Sequence, residues 1–321
     1  RLSEAQVRLR PLVVIVGPTA VGKSRIALEI AKAFETDILT ADSRQVYRGM
    51  DIGTDKPTAG QLQDVTHRLI DLVEPNQPFN TGLYRRHAVQ AIEDLYRARR
   101  LPLVVGGTGL YVRTLLKGLC KAPPGDPVIR ASLRREAQMH GRDHLYTQLV
   151  ACDPATAARL HPRDESKVLR ALEVHRLSGR PISEFQQQHG FTERPFTSLM
   201  IGLNRAREVL YRRIEERIDW QLDHGLVDET KRLLARGYSR DLPAMKGLGY
   251  RHVSCYVAGE YDAEEMARRF KRDTRRFAKR QMTWFRKEPG IPWMMIEESE
   301  PLTVTTHRIV KHVDAFLADL G

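Results

Sequence analysis

Three cysteines in 321 residues, Cys120, Cys152 and Cys255, are too few and too scattered for a disulfide framework, and no Cys-x-x-Cys pair offers half of a zinc site. A reducing, cytoplasmic setting is the expectation. Among eleven histidines there is no His-Glu-x-x-His; His140 and His144 are four apart on an expected helix, but no third ligand stands near them. Long apolar runs are also missing. Leu12 to Val16 and Leu101 to Val105 fall far short of the roughly 20 residues that cross a bilayer, so no membrane-spanning segment is expected. Arg1 to Arg10 contain no apolar stretch of signal-peptide type. Two further absences narrow the chemistry: no Asn-Lys-x-Asp occurs, and the run Leu101 to Val105 ends in Gly106-Gly107-Thr108-Gly109 instead of an acid. A phosphoryl-transfer enzyme normally has a strand-end acid to order Mg²⁺ and a group that reads the nucleotide base.

What is present is a hydrophobic content of 41%, ample for a buried core, and a net charge of +12. The charge is concentrated. Arg268 to Lys287 carry ten Lys or Arg and one acid, Asp273, so this stretch alone contributes +9. An anionic partner is implied, whether nucleic acid, membrane surface or phosphorylated metabolite. Asp262 with Glu265 marks a capping-box-like start for a helix through the stretch. Phe270, Phe277 and Trp284 then recur at seven along one face. Core packing is the favoured reading for them and base stacking the alternative.

The first third alternates β-branched runs with helical patterns. Leu12 to Val16, Ile38 to Ala41, Leu69 to Val73 and Leu101 to Val105 read as strands, and Lys23 to Phe34, Gly82 to Arg99 and Leu110 to Leu116 as helices. That is the pattern of a parallel sheet with crossover helices. After the breaker cluster Ala122 to Pro127 the strand signals vanish. Helices are expected over Val128 to His140, Asp143 to Ala151, Glu165 to Ser178 and Ile182 to His189, followed by a returning strand at Thr197 to Leu203. The expected organisation is a P-loop NTPase-like α/β core over 1–117, an all-helical insertion over 118–196, and core completion with basic helices over 197–321.

Gly17-Pro18-Thr19-Ala20-Val21-Gly22-Lys23-Ser24 matches the phosphate-loop pattern, follows an apolar strand and opens a helix. The glycines permit a tight turn whose amides point inward, the helix N-terminus adds positive potential, Lys23 supplies a charge, and Ser24 is the candidate Mg²⁺ ligand. The loop specifies a phosphate-bearing ligand without naming it. Asp42 closes the strand Ile38 to Ala41, whose end shares the sheet edge with this loop, and is a candidate base beside a bound diphosphate.

The run Asp42-Ser43-Arg44-Gln45-Val46-Tyr47-Arg48-Gly49-Met50-Asp51-Ile52-Gly53-Thr54-Asp55-Lys56-Pro57 adds a second motif. With Gly17 to Ser24 and Gly106-Gly107-Thr108-Gly109-Leu110-Tyr111, it closely resembles the tRNA dimethylallyltransferases, the bacterial isopentenyl-tRNA transferases. Further matches are His67-Arg68-Leu69, His161-Pro162 with Arg170-Ala171-Leu172-Glu173-Val174, Gly249-Tyr250-Arg251, and Lys279-Arg280-Gln281 with Thr283-Trp284. They span nearly the whole chain. The chain lacks the C-terminal zinc finger of the family's eukaryotic members and the Asp-Asp-x-x-Asp motif of chain-elongating prenyl synthases.

The resemblance implies transfer of the prenyl group of dimethylallyl diphosphate to the exocyclic amine of adenosine 37 in the tRNA anticodon stem-loop, with Mg²⁺ as cofactor and a monomeric enzyme. It implies Asp42 as the catalytic base and Arg217 as the arginine that stabilises the departing diphosphate. A surface arginine paired with neighbours such as Arg213 or Glu216 is the alternative for Arg217. Thr19 and Thr108 are expected to hydrogen-bond to the diphosphate or the adenine, or to stabilise their loops. The implied tRNA contacts are Asp42, Ser43, Arg44 and Gln45 with Thr108; Arg130; Ser166, Lys167, Val168, Leu169 and Arg170; Lys246, Gly249, Tyr250 and Arg251; and Lys279, Arg280, Gln281, Thr283, Trp284 and Arg286. A kinase of small metabolites and an adenylate isopentenyltransferase are the competing activities. The concentrated positive charge favours a large RNA acceptor over either.

Overall fold

The computed structural model describes residues 1–321, apart from the side chain of Arg142. The chain divides into two compact units, one made of 1–116 with 195–321 and the other of 117–194. These limits lie one and two residues from the boundaries drawn on the sequence.

The first unit is built on a six-stranded parallel sheet. Its strands are β1 (Pro11–Val16), β2 (Ile38–Thr40), β3 (His67–Arg68), β4 (Leu103–Gly106), β5 (Thr197–Asn204) and β6 (Trp293–Met295), in the order β3-β2-β4-β1-β5-β6. All six residues of β1 are buried, which is why Pro-Leu-Val-Val-Ile-Val shows no polar alternation: a central parallel strand is covered on both faces. The early helices are α1 (Glu4–Arg8), α2 (Lys23–Ala33), α3 (Ala59–Asp64), α4 (Thr81–Arg97) and α5 (Gly109–Lys117). The strand expected at Leu69 to Val73 is a correction. Only His67 and Arg68 pair with β2, because Leu69 and Asp71 take left-handed φ values of 69° and 52° that turn the chain out of the ladder. Val73 keeps a single bridge, to Tyr47.

The second unit is helical: α6 (Pro127–His140), α7 (Arg142–Cys152), α8 (Pro154–Ala157), α9 (Glu165–Ser178) and α10 (Ile182–His189). Asp126 caps α6 by accepting from the Val128 and Ile129 amides at 2.8 and 3.1 Å, and Pro127 occupies the first helical position. Leu133, Leu145, Leu149, Val168, Leu172 and Val174 form its core.

The chain then returns to β5 and ends in α11 (Arg207–Asp223), α12 (Leu226–Ala235), α13 (Leu248–Val257), α14 (Ala263–Arg286) and α15 (Leu302–Asp319). Helix α14 packs against α11 and α13. Its N-cap is Asp262, which accepts from the Glu265 amide at 2.8 Å. The inward stripe Met266, Phe270, Thr274, Ala278, Gln281 and Phe285 is buried at helical spacing.

Candidate active site

Because β4 lies between β1 and β2, the loops that follow Val16, Thr40 and Gly106 leave the same edge of the sheet side by side. Thr19, Lys23, Ser24, Asp42, Ser43, Arg44, Gln45 and Thr108 consequently line one cavity of about 780 Å³. Close packing joins the loops. A side chain at Gly106 would overlap the Ala41 carbonyl, so glycine is required there.

Within the phosphate loop, Gly17, Pro18 and Val21 are buried, and Ala20 and Gly22 have φ values of 65° and 110°. Glycine suits the second value; alanine in the left-handed region carries strain that its surroundings must offset. Two arginines supply that support. Arg213 Nε donates to the Ala20 carbonyl and Arg205 Nε to the Val21 carbonyl, each at 2.8 Å. Sequence reading missed both roles, since these contacts span more than 180 residues and no local signal announces them. Lys23 Nζ donates to the Gly17 and Pro18 carbonyls at 2.8 Å each, leaving one of its three protons for a ligand. Burial lowers the Lys23 pKa to about 8; Asp42 opposes the shift and Arg217 adds to it. Burial likewise lowers the pKa of Arg205 and Arg213, and Arg205 feels Arg213 as well. Lys23, Arg205, Arg213 and Arg217 thus form a cation cluster whose positive potential an anion would relieve.

Asp42 uses one carboxylate oxygen locally: Oδ1 accepts from the Arg44 amide at 2.7 Å and the Gln45 amide at 3.3 Å, while Oδ2 has no hydrogen-bond partner among the described residues. A turn role and a base role therefore coexist. Thr108 Oγ1 accepts from the Ser43 amide at 3.0 Å and its own amide donates to the Ala41 carbonyl at 3.1 Å, tying the β4 loop to the β2 loop. Its hydroxyl proton remains available to a ligand. Arg217 NH1 lies 3.6 Å from Asp55, and its buried Nε has no hydrogen-bond partner among the described residues. Its ion-pair partner is thus Asp55, not Glu216. A further anchor is Glu229, a buried carboxylate on α12 that accepts from the amides of Asp51, Ile52 and Gly53 and from the Tyr250 hydroxyl at 2.5 Å. It fixes the segment leading to Asp55.

Several expected RNA contacts take other roles. Gln281 lines the cavity and also braces it: its Oε1 accepts from the Thr19 amide at 2.8 Å and its Nε2 donates to the Gly107 carbonyl at 3.1 Å, holding the two loops against each other from α14. Tyr250 is buried against Glu229, and Gly249 is buried with Phe270 beside it. Trp284 is half-buried, with the Arg113 guanidinium 4.2 Å from its ring centre. In the helical unit the side chains of Val168 and Leu169 belong to the hydrophobic core and cannot present themselves to RNA. Ser166 and Lys167 are exposed. Arg130 and Arg170 both bind Glu173, whose side chain is wholly buried; burial pushes its pKa up, but the two arginines and the Asp126 amide outweigh this and hold it below the usual value.

The basic stretch is less bare than its composition suggests. Arg268 and Arg269 pair with Glu265, Lys271 with Asp219, Arg275 with Glu215, and Arg272 and Arg276 with Asp273. Lys279, Arg280, Arg286 and Lys287 are exposed and have no carboxylate partner among the described residues, and Thr283 is exposed between them. Lys246 and Arg251 are also exposed, although Arg251 pairs with Asp273 at 2.8 Å. Among the described residues no helix is long and apolar enough to cross a membrane. Nor do these residues include a cluster of three or more His, Cys, Asp or Glu able to hold a metal.

Known proteins resemble this chain over most of its length. The family model described as IPP transferase matches residues 45–288. A relative from Geotalea uraniireducens, named tRNA dimethylallyltransferase 2, is 47% identical over 288 residues, covering 90% of this chain and 93% of its own length. A tRNA dimethylallyltransferase from Geobacter metallireducens is 47% identical over 283 residues, covering 88% and 92%. The crystal structure of a tRNA isopentenylpyrophosphate transferase from Bacillus halodurans superposes with a TM-score of 0.73 at 36% identity, covering 97% of this chain and 98% of the other. A eukaryotic dimethylallyltransferase described as acting on tRNA gives a TM-score of 0.82 at 26% identity, covering 97% and 80%. The chain belongs to the IPP transferase family.

Proposed function

We propose that this protein transfers the dimethylallyl group of dimethylallyl diphosphate to the exocyclic amine of adenosine 37 of tRNA and releases diphosphate. The observation that carries the reading is one cavity lined both by Thr19, Lys23 and Ser24 of the phosphate loop and by the Asp42 carboxylate. A carboxylate beside a polyanion is electrostatically unfavourable unless it serves the reaction. The relatives' names, tRNA dimethylallyltransferase, support the same assignment.

In this scheme the loop amides, Lys23 and Arg217 neutralise charge growing on the diphosphate as the allylic carbon–oxygen bond breaks. The adenine amine forms the new bond to that carbon, and its excess proton passes to Asp42 Oδ2. Adenine's amine is a poor base, so the proton becomes acidic only as the bond forms. To reach the cavity the adenosine leaves its stack. Ser24, exposed at the start of α2 and lining the cavity, would hold Mg²⁺, which would offset negative charge on the diphosphate. The proposal extends to a monomeric enzyme acting in the cytoplasm on the anticodon stem-loop.

The test is donor discrimination. With unmodified tRNA present, labelled dimethylallyl diphosphate should pass its label to RNA with matching release of diphosphate. Hydrolysis of ATP or phosphoryl transfer from it, with no label reaching RNA, would replace this reading with a kinase.

A further inference from the structure

Two large aromatic side chains in the cavity wall have no part in the scheme above. Trp220 on α11 is 49% exposed and Phe277 on α14 is 39% exposed, and both line the cavity that contains Lys23 and Asp42. Single exposed apolar residues are ordinary on protein surfaces, but two on one cavity wall are not explained that way. Phe277 lies two turns beyond buried Phe270 and one turn before buried Gln281, so helical phase directs it inward. It stays uncovered because the cavity opens at that point of the stripe.

Trp220 occupies the matching place on α11. Arg213, Arg217 and Trp220 fall at i, i+4 and i+7, one row along the helix. The first of them holds the Ala20 carbonyl and the second faces Asp55. Trp220 therefore stands about one turn, roughly 5 Å along the axis, beyond Arg217. Phe277 stands one turn from Gln281, which braces the phosphate loop from the other helix. His224 stacks on the indole at 4.3 Å between centroids and 15° between planes, and its Nδ1 lies 2.8 Å from the Trp220 carbonyl oxygen. One face of the indole is thereby held. Arg280, which has no carboxylate partner among the described residues, lies 5.8 Å from the Phe277 ring centre.

We propose that Trp220 and Phe277 form a stacking platform for the unpaired nucleobases on either side of the adenosine that enters the cavity. The proposal rests on the tRNA reading above and names what that reading leaves open, namely the groups that replace the lost stacking partner when the target base leaves the loop. A flipped-out base exposes the faces of its neighbours, and aromatic side chains bind such faces with little regard to base identity. Unpaired bases, with phosphates reached by Arg280 and Lys279, suit this combination of rings and free cations.

The experiment measures binding of anticodon stem-loops to the full-length protein and its Trp220→Ala, Trp220→Phe, Phe277→Ala and Phe277→Tyr variants. A parallel set of stem-loops carries abasic sites at the positions flanking adenosine 37. Each alanine variant should bind the intact stem-loop about 5- to 150-fold more weakly, the range expected for one base stacked on one ring. The salt dependence and melting temperature should not move, and Trp220→Phe and Phe277→Tyr should recover most of the loss. Against the abasic stem-loop the difference between wild type and the alanine variants should largely disappear, because the ring's partner is gone. Equal affinity of both alanine variants and wild type for the intact stem-loop would overturn the platform while leaving prenyl transfer standing. So would a loss of equal size on the abasic RNA. A wild-type protein that binds no stem-loop would instead overturn the tRNA reading itself, and the platform with it.

Discussion

Burial changes the chemistry of Lys23 in the candidate site, and that change can be read as a proton count. Part of its side chain still reaches solvent, yet burial takes its pKa from 10.5 to about 8 against the opposing pull of Asp42. The folded protein therefore binds fewer protons at this site than the unfolded chain between about pH 8 and 10.5, and the stability it contributes rises with pH across that window. Below pH 8 the cost of keeping it charged is complete, on the order of 1–3 kcal/mol after allowance for its partial exposure. A bound diphosphate stabilises the ammonium and returns its pKa upward, so binding draws a proton from solution. The uptake should be roughly 0.5 proton at pH 8 and should fall as the pH is lowered, giving way to proton release from the diphosphate near pH 6. Phosphate groups of pKa near about 6 add little at pH 8. Calorimetric titration with dimethylallyl diphosphate, in buffers of different ionisation enthalpy, reads this number directly. Lys23→Met should abolish the uptake as well as weaken binding. Negligible uptake at pH 8 in the wild type, or an unchanged uptake in Lys23→Met, would refute the reasoning.

Other residues give further tests. Asp42→Asn keeps the turn-forming Oδ1 while removing the base, and should slow single-turnover prenyl transfer by ~10²–10⁴-fold with donor and tRNA binding largely retained, as rapid-quench assays would show. Gln281→Leu leaves the Thr19 amide and the Gly107 carbonyl without partners; it should cost about 1–3 kcal/mol in thermal unfolding and raise the KM for the donor more than that for tRNA. Replacing Lys279, Arg280 and Arg286 together with Gln should flatten the salt dependence of tRNA binding by up to about 0.7–0.9 log units of slope for each lost phosphate contact, and an unchanged slope would mean this face is only solvated.

The sequence made the phosphate loop and Asp42 legible because each sits in a contiguous motif at a strand end, where burial pattern and loop chemistry coincide. The parallel sheet was legible for the same reason: β1 and β4 are apolar on both faces. What escaped depends on contacts between distant segments. Arg205 and Arg213 reach back to the phosphate loop, Glu229 gathers three amides near Gly53, and Gln281 joins two loops from a helix that its composition marked only as basic. The expected strand at Leu69 to Val73 failed on backbone conformation, which β-branched composition does not report. Phe277 shows a different limit. Spacing located its face correctly, but whether a face is covered depends on what stands opposite, and opposite Phe277 is a cavity.

The measurement that bears most directly on the central claim is the destination of the prenyl group. Purified protein, Mg²⁺ and labelled dimethylallyl diphosphate are incubated with unmodified tRNA, with the same tRNA carrying guanosine at position 37, and with free AMP, and the products are digested to nucleosides. The account predicts label on a single adenosine of the unmodified tRNA, none on the guanosine variant and none on AMP. Label on AMP at a comparable rate, or undiminished labelling of the guanosine-37 tRNA, would contradict it.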